Sequence, residues 1–233
     1  MSEEARMSIL DHLSELRERL LKAVIALVIG VVGGTFFTRP ALELLVSPLG
    51  DQMPIAIAPT ESVGVYFKVS IVIGFVIAMP VIVYQIFRFV APGLERNERR
   101  YVLIGAPAAA ISFAAGVAFA ALVLIPAAMP FLRGFLPGIV EQKYSINRYI
   151  SFVSTILLWA GLVFETPLVM YFLAKLGVAT PEAYGKARRV VVIAAAAGSA
   201  VITPTTDPVN MLLIMGPFLL LYELGILLAR LAR

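Results

Sequence analysis

The fold of this chain is decided by stretches such as Ser151-Phe-Val-Ser-Thr-Ile-Leu-Leu-Trp-Ala-Gly-Leu-Val-Phe-Glu-Thr-Pro-Leu-Val-Met-Tyr-Phe-Leu-Ala174. A helix needs roughly 20 predominantly apolar residues to cross a bilayer, and this stretch is long enough. Its only charged residue, Glu165, falls near the middle. An ionisable group there costs roughly 2.5–3.5 kcal/mol on insertion scales, so it normally faces a protein interior or a wet cavity. Glu165 is therefore either a functional intramembrane site or a hydrogen-bonded structural carboxyl.

The composition predicts an all-α membrane protein without a cofactor. Hydrophobic residues make up 60% of the 233 residues, in long continuous runs. Only helices and closed barrels satisfy every backbone polar group in lipid, and continuous apolar runs favour helices. The chain has no cysteine and one histidine, His12, so disulfides, thiol chemistry and zinc or haem ligation are not expected. We expect no cofactor and no metal site.

Six apolar segments predict a polytopic protein with six transmembrane helices in a single domain covering residues 1–233. The predicted spans are residues 20–37, 65–87, 102–125, 151–176, 190–202 and 211–228. Prolines in or at the ends of the spans remove helical hydrogen bonds or stop the helices, which predicts a curved, concave body. The N-terminal residues are mixed in charge and do not form a cleavable signal, so the first span is expected to be retained.

Lysine and arginine residues predict the orientation in the membrane. They concentrate at one set of span ends, and few lie at the opposite ends. The positive-inside rule then places both termini in the cytoplasm. The isoelectric point of about 9.5 follows from these span-end residues, so nucleic acid is not an expected partner. Lys68 lies inside the second span near its outer end and is expected to extend outward to the membrane surface.

The fifth predicted span is unusually short. Residues 190–202 rise only about 20 Å, against a hydrocarbon core about 30 Å thick. The span contains Ala194-Ala-Ala-Ala-Gly-Ser-Ala200, whose small side chains allow another helix to approach closely. We therefore expect the last hairpin to offer a groove to a single-span membrane partner.

Two charged clusters lie at the predicted cytoplasmic surface. Residues 12–20 predict an amphipathic surface helix, over about residues 8–19, in which Glu15 and Arg19 form an i,i+4 pair. The second cluster follows the helix-breaking Pro92-Gly93 and places Glu98 at the start of the third span, where a carboxylate complements the helix dipole. Each cluster alone is explained by these local roles. Together, the two carboxylates suit a peptide with two arginines, because a guanidinium pairs bidentately with a carboxylate.

The chain resembles the TatC family, the receptor components of the twin-arginine translocase, over essentially its whole length. Five stretches in the same order carry the resemblance: His12-Leu-Ser-Glu-Leu-Arg-Glu-Arg-Leu20; Tyr84-Gln-Ile-Phe-Arg-Phe-Val-Ala-Pro-Gly-Leu94 with Glu98-Arg-Arg100; Gly161-Leu-Val-Phe-Glu-Thr-Pro167; Thr203-Pro with Asp207-Pro208; and Leu221-Tyr-Glu223. One turn departs from the family pattern of Thr-Pro-Pro-Asp followed by Gln. It is one residue longer here and places Asn210 or Met211 at the glutamine position.

The resemblance implies a multi-pass receptor in the bacterial cytoplasmic (inner) membrane. Such a receptor binds the twin-arginine signal peptides of folded proteins at the cytoplasmic face, for export driven by the proton-motive force. It works with single-span partners of the TatA/TatB type, and self-association is left open. By the same resemblance, the signal-peptide site comprises Glu15, Glu98, Leu13, Arg17 and Phe89. The remaining positions are an intramembrane polar site at Glu165, an outer-loop position at Pro48, and partner-helix contacts at Thr203, Asp207 and Asn210.

Two other functions compete with this one. A proton-coupled solute carrier would use Glu165, but the charges within the spans are isolated and no internal repeat is visible, whereas many carriers have inverted repeats. An intramembrane enzyme is disfavoured because no Ser/Lys, Asp/Asp or His/Glu metal arrangement lies within the spans, and Glu223 has no obvious acid–base partner. The carrier stays as the alternative, and we expect the protein not to be an enzyme.

Overall fold

The computed structural model describes residues 9–50, 52–90, 99–134, 143–202 and 208–232. This part of the chain forms nine α-helices: α1 Ile9–Thr35, α2 Thr38–Val46, α3 Glu61–Val90, α4 Arg99–Phe119, α5 Ile125–Arg133, α6 Ile146–Phe164, α7 Thr166–Lys175, α8 Pro181–Ile202 and α9 Pro208–Leu231. A 3₁₀ turn, Ser47–Leu49, follows α2, and a π-helical stretch, Ala120–Leu124, joins α4 to α5. One isolated parallel bridge pairs Ile55 with Ser145. The predicted all-α class is confirmed.

Several of these helices are suited to crossing a membrane. Four helical segments are long and apolar enough: Glu61–Ile86, Gly105–Arg133, Ile146–Lys175 and Met211–Leu231. A fifth is added if His12–Thr35 and Thr38–Leu49, which are bent by 72° at their junction, count as one span. α8 contains the short predicted span but is not among these segments. The protein is therefore a membrane protein with several spans, while the count of six and the cytoplasmic termini stay predictions.

The helices pack as an open row. α1 lies at one edge and packs on α3, which in turn packs on α4 and α6. α9 packs on α7 and on α8, and α8 lies at the other edge. The largest core lies at the end of the molecule opposite to the start of α1, in a region formed by α2, the 3₁₀ turn, α5 and the first turns of α6, here called the cap region. Its buried side chains include Leu49, Val69, Ile125, Met129 and Ile150. A row with two free edges is consistent with the curved body expected from the sequence.

Prolines interrupt two of the spanning segments. Pro126 lies at the start of α5, directly after the π-helical stretch, and Pro167 lies at the start of α7. Because proline has no N–H to donate, the helical hydrogen-bond pattern is broken just before each of them. α6 therefore ends at Phe164, and the chain continues through Glu165 into α7.

α1 and α3 make a close backbone contact. A methyl group on Gly30 would lie 2.5 Å from the carbonyl oxygen of Gly74, and one on Gly34 would lie 2.7 Å from that of Ser70. The hydroxyl groups of Thr38 and Ser70 share a 2.7 Å hydrogen bond at the same interface, just beyond the C-terminal end of α1. Small residues spaced four apart let two backbones touch in this way. This contact fixes α1 against α3 and so positions the opposite ends of both helices.

Candidate functional site

The N-terminal charged cluster is part of a long helix. α1 is continuous from Ile9 to Thr35, so the separate surface helix expected over about residues 8–19 is instead the beginning of the first predicted span. No glycine or proline lies between Ile9 and Ile29, and nothing in that sequence ends a helix. A helix of 27 residues is about 40 Å long, which exceeds a core about 30 Å thick. The first turns of α1 can therefore extend beyond the hydrocarbon.

Glu15 is held in place by Arg19. Nη2 and Nε of Arg19 donate to Oε1 of Glu15 at 3.0 and 3.3 Å, which confirms the predicted i,i+4 pair. Nη1 of the same guanidinium donates to Oε1 of Gln85 in α3 at 3.4 Å. The side chains of Arg19 and Glu15 are only 17% and 18% exposed. Arg19 thus connects the carboxylate on α1 to the end of α3.

Phe89 lies on the same surface as Glu15. Its ring stacks on His12 with the centroids 4.5 Å apart and the planes at 23°. His12 and Glu15 share a face of α1 because they are three residues apart. Leu13 and Arg17 are exposed on the same turns of the helix. We call His12, Leu13, Glu15, Arg17 and Phe89 the receptor patch. Glu98 lies outside the described residues, so the structure does not relate it to this patch.

Glu165 lies at the break between α6 and α7, within the candidate span Ile146–Lys175. Its side chain is partly buried, and its Oε1 is fully buried without a hydrogen-bond partner among the described residues. A buried polar atom that lacks its partner costs about 1–3 kcal/mol. Glu165 therefore has one carboxyl oxygen that can still take part in a hydrogen bond, and its role as an intramembrane polar site stays a prediction.

Close packing of α4 on α6 fixes the position of Glu165. A methyl group on Gly116 would lie 2.5 Å from the carbonyl oxygen of Ala160, and one on Gly161 would lie 2.6 Å from the ring of Phe113. The hydroxyl of Ser112 donates to the carbonyl of Phe164 at 2.7 Å. This bond satisfies one of the carbonyls that the end of a helix leaves without a partner.

Pro48 is part of the cap region. It lies in the 3₁₀ turn after α2, and its carbonyl accepts a hydrogen bond from Nη2 of Arg133 in α5. Nη1 of Arg133 donates to the carbonyl of Leu49 at 3.1 Å, and the hydroxyl of Tyr149 donates to the carbonyl of Leu45 at 2.6 Å. Pro48 thus belongs to a turn that α5 holds by its backbone, while α6 holds the preceding end of α2.

Lys68 has two acceptors on a neighbouring helix that the sequence did not predict. Its ammonium group donates to Oδ1 of Asn147 at 2.5 Å and to the hydroxyl of Ser151 at 2.7 Å, both in the first turns of α6. Its extension to the membrane surface stays a prediction. The two acceptors are 79 and 83 residues away along the chain, so the local sequence carries no signal for them.

Glu223 has a partner that sequence analysis missed. Nε and Nη2 of Arg188 donate to its two carboxylate oxygens at 2.6 and 2.7 Å, in a bidentate ion pair between α8 and α9. The hydroxyl of Tyr222 donates to the carbonyl of Tyr184 at 2.8 Å beside this pair. Glu223 thus ties two helices together. Within the described residues, no group of three or more His, Cys, Asp and Glu side chains could hold a metal ion.

The predicted partner contacts are described only in part. Thr203 and Asp207 lie outside the described residues, and Asn210 is in α9 without a described side chain. The preceding helix is described in detail: Ala194, Ala197 and Ala200 of α8 are exposed, whereas Ala195 is buried. α8 therefore exposes these three alanines together with the larger side chains of Val190, Ile193 and Val201.

Comparisons with known proteins extend over nearly the whole chain. The family model for the Sec-independent protein translocase protein (TatC) matches residues 11–217. The TatC protein of Synechocystis sp. is 37% identical over 224 residues, which is 96% of this chain and 88% of that protein. The TatC protein of Aquifex aeolicus is 36% identical over 232 residues, 97% of this chain and 96% of the relative. The chloroplastic protein of Arabidopsis thaliana is 36% identical over 224 residues, and this chain spans 66% of its length.

Solved structures give the same result. A crystal structure of the twin arginine translocase receptor TatC matches with a TM-score of 0.83 and 36% identity, covering 95% of this chain and 99% of the other. A second structure of such a receptor, in DDM, matches with a TM-score of 0.85 at the same identity and covers 94% of this chain and 99% of the other. By sequence and by fold, the chain belongs to the TatC family of Sec-independent protein translocase proteins.

Proposed function

We propose that this chain is the signal-peptide receptor of a twin-arginine translocase in the bacterial cytoplasmic membrane. Both termini face the cytoplasm in this proposal, and the receptor patch binds twin-arginine signal peptides of folded proteins. Single-span partners of the TatA/TatB type then join the receptor, and the proton-motive force drives export. Family membership and the distribution of basic residues support the proposal.

The observation that carries the proposal is the receptor patch itself. Glu15 is a partly buried carboxylate, positioned by Arg19 and Gln85 where α1 begins and α3 ends. A carboxylate offers about four lone-pair sites, so Glu15 can keep its contact with Arg19 and still accept from an arriving guanidinium. Leu13, which is 54% exposed, offers apolar surface beside it. A peptide with two arginines and flanking apolar residues matches this combination.

Peptide binding to purified protein tests the proposal. Glu15→Ala and Glu98→Ala should each weaken binding of a fluorescent twin-arginine signal peptide. Loss of one charge-assisted contact costs about 1.5–3 kcal/mol, or roughly ten- to a hundredfold in affinity. Replacing both peptide arginines with lysines should also weaken binding, because an ammonium group cannot form the two-pronged contact.

Glu18→Ala is the matched control for these variants. Glu18 lies on the same turn of α1 but pairs with Lys22 on an exposed face, so the affinity should stay close to that of the unmodified protein. If the Glu15→Ala, Glu98→Ala double variant binds the peptide as tightly as the unmodified protein, the site is wrong. An equal loss in Glu18→Ala would indicate general charge attraction instead of a site.

Partner association is tested on α8. Ala197→Leu adds bulk at one of the exposed alanines and should reduce crosslinking to a TatA/TatB-type partner while peptide affinity is retained. Ala115→Leu, at an exposed position of α4, is the control and should change neither measurement. Unchanged crosslinking in Ala197→Leu would remove α8 as the partner surface, whereas loss of both peptide binding and crosslinking would indicate misfolding.

A further inference from the structure

An apolar groove runs between α3 and α4. Pro80, Val81 and Tyr84 line one wall, Ala106, Pro107, Ala110 and Ile111 line the other, and the volume is about 510 Å³. That size lies within the roughly 300–1,000 Å³ of typical ligand sites. Val81 and Ile111 are exposed side chains within the candidate spans Glu61–Ile86 and Gly105–Arg133. The groove therefore opens toward the bilayer.

A cation lies at one end of this groove. Arg88 follows Tyr84 by one helical turn and donates from Nη1 to the Tyr84 hydroxyl at 2.9 Å. Its guanidinium carbon lies 5.9 Å from the centroid of the Tyr84 ring. Arg88 lies in the last turn of α3, and this helix of 30 residues is longer than a hydrocarbon core about 30 Å thick requires, so its guanidinium can reach the membrane surface. None of the ion pairs within the described residues involves Arg88, and its side chain is exposed.

We propose that the groove between α3 and α4 binds a phospholipid with an anionic headgroup, whose acyl chain lies between Pro80 and Pro107 and whose phosphate contacts Arg88. Acyl chains are as apolar as the groove, so the groove supplies shape but little preference among lipids. The preference comes from Arg88, because a guanidinium binds phosphate oxygens through paired N–H donors. Basic residues between spans, at the membrane surface, recognise acidic headgroups by the same chemistry. The tyrosine hydroxyl next to Arg88 is typical of that depth.

A bound lipid would lie next to the receptor patch. Arg88 directly precedes Phe89, whose ring stacks on His12 of α1. The acyl chain would also support α3 at Pro80, where the helix lacks one hydrogen bond. The effect of the lipid on peptide binding rests on the proposed function, whereas lipid binding itself does not.

Native mass spectrometry of the full chain tests the proposal without a signal peptide. The detergent-purified protein is mixed with equimolar phosphatidylglycerol and phosphatidylcholine that carry identical acyl chains. We expect retained phosphatidylglycerol to exceed phosphatidylcholine by roughly five- to tenfold, the scale of one arginine contact near an anionic surface. Arg88→Gln should abolish this preference. Ala110→Leu, which fills the groove, should reduce the retention of both lipids.

Arg148→Gln is the matched control. Arg148 is an exposed arginine near the start of α6, away from the groove, and its removal should leave the preference unchanged. Equal retention of the two lipids by the unmodified protein would overturn the proposal, and that comparison needs no variant to fold. The proposal would also be overturned if Arg88→Gln kept the preference for phosphatidylglycerol, or if Arg148→Gln lost that preference to the same extent. In either case the charge effect would not belong to the groove. Since no signal peptide is present, these results do not depend on the receptor function.

Discussion

Gly30→Ala should loosen the contact between α1 and α3, and Gly33→Ala is its control. The methyl group on residue 30 would lie 2.5 Å from the carbonyl oxygen of Gly74 and 3.3 Å from its carbonyl carbon. On residue 33 the nearest atom would be Cδ1 of Ile77 at 3.9 Å, an ordinary contact. The clash at residue 30 involves backbone atoms, so no side-chain rotation relieves it. The helices must separate by about 1 Å to restore a normal contact distance.

The expected difference in stability follows from two opposing effects. Both substitutions replace glycine in a helix with alanine, which favours the helix by about 1 kcal/mol. Only Gly30→Ala overpacks the interface, at a cost of about 1–3 kcal/mol. The two variants should therefore differ by about 1–3 kcal/mol in the free energy of unfolding. For a chain of this size each kcal/mol shifts the unfolding midpoint by about 2–4 °C, so Gly30→Ala should unfold roughly 2–12 °C below Gly33→Ala.

Thermal unfolding of the two variants and the unmodified protein in one detergent measures this difference. Peptide affinity is a second measurement, since Glu15 lies about 22 Å from Gly30 along the same rigid helix. Separation of α1 from α3 should lengthen the contact between Arg19 and Gln85 and weaken peptide binding in Gly30→Ala alone. Equal midpoints for both variants, or a higher midpoint for Gly30→Ala, would refute the close backbone contact.

Three further predictions concern charged groups between helices. Glu165→Gln should preserve much of the export of a folded twin-arginine cargo and Glu165→Leu should abolish it; Gln as inactive as Leu would instead support a proton-coupled carrier. Arg188→Glu and Glu223→Arg should each lower the yield of monodisperse protein after heating, and the double variant should restore it. No recovery in the double variant would mean that this ion pair does not hold α8 on α9. Asn147→Leu should lower the free energy of unfolding by about 1–3 kcal/mol, because the Lys68 ammonium loses an acceptor. Adding Lys68→Met should recover part of the loss in the thermal unfolding midpoint, and no recovery would contradict this account.

Hydropathy predicted where helices cross lipid but not where they begin and end. The predicted span 65–87 is contained in α3, and the span 151–176 corresponds to α6 and α7. α1 and α8 begin well before their apolar segments, at Ile9 and Pro181. These helices continue through charged residues, because Glu, Lys, Arg and Ala are good helix formers. The apolar segment marks the thickness of the hydrocarbon and not the length of the helix.

The candidate site could be predicted where its contacts are local. The Glu15–Arg19 pair follows from a spacing of four on one helix, and it is present. The partners of Lys68 and Glu223 are far away in sequence and could not be found without the fold. The α1–α3 contact was missed although its signal was visible. Gly30 and Gly34 have the spacing that lets helices approach closely, and α3 carries matching small residues.

Glu15 and Glu165, the two predicted site carboxylates that the structure describes, differ in a way that sequence analysis could not show. Glu15 already pairs with the guanidinium of Arg19. A second guanidinium, from the peptide, is attracted there only by the negative charge of the Glu15 carboxylate. Glu165 has a buried oxygen without a donor among the described residues, beside a helix break that Pro167 creates. A neutral amide can still take part in a hydrogen bond at that position, but it cannot replace a charge. Glu15→Gln should therefore reduce peptide binding nearly as much as Glu15→Ala, whereas Glu165→Gln should be tolerated in export. Tolerance of Gln at both positions would remove the charge requirement from the receptor patch.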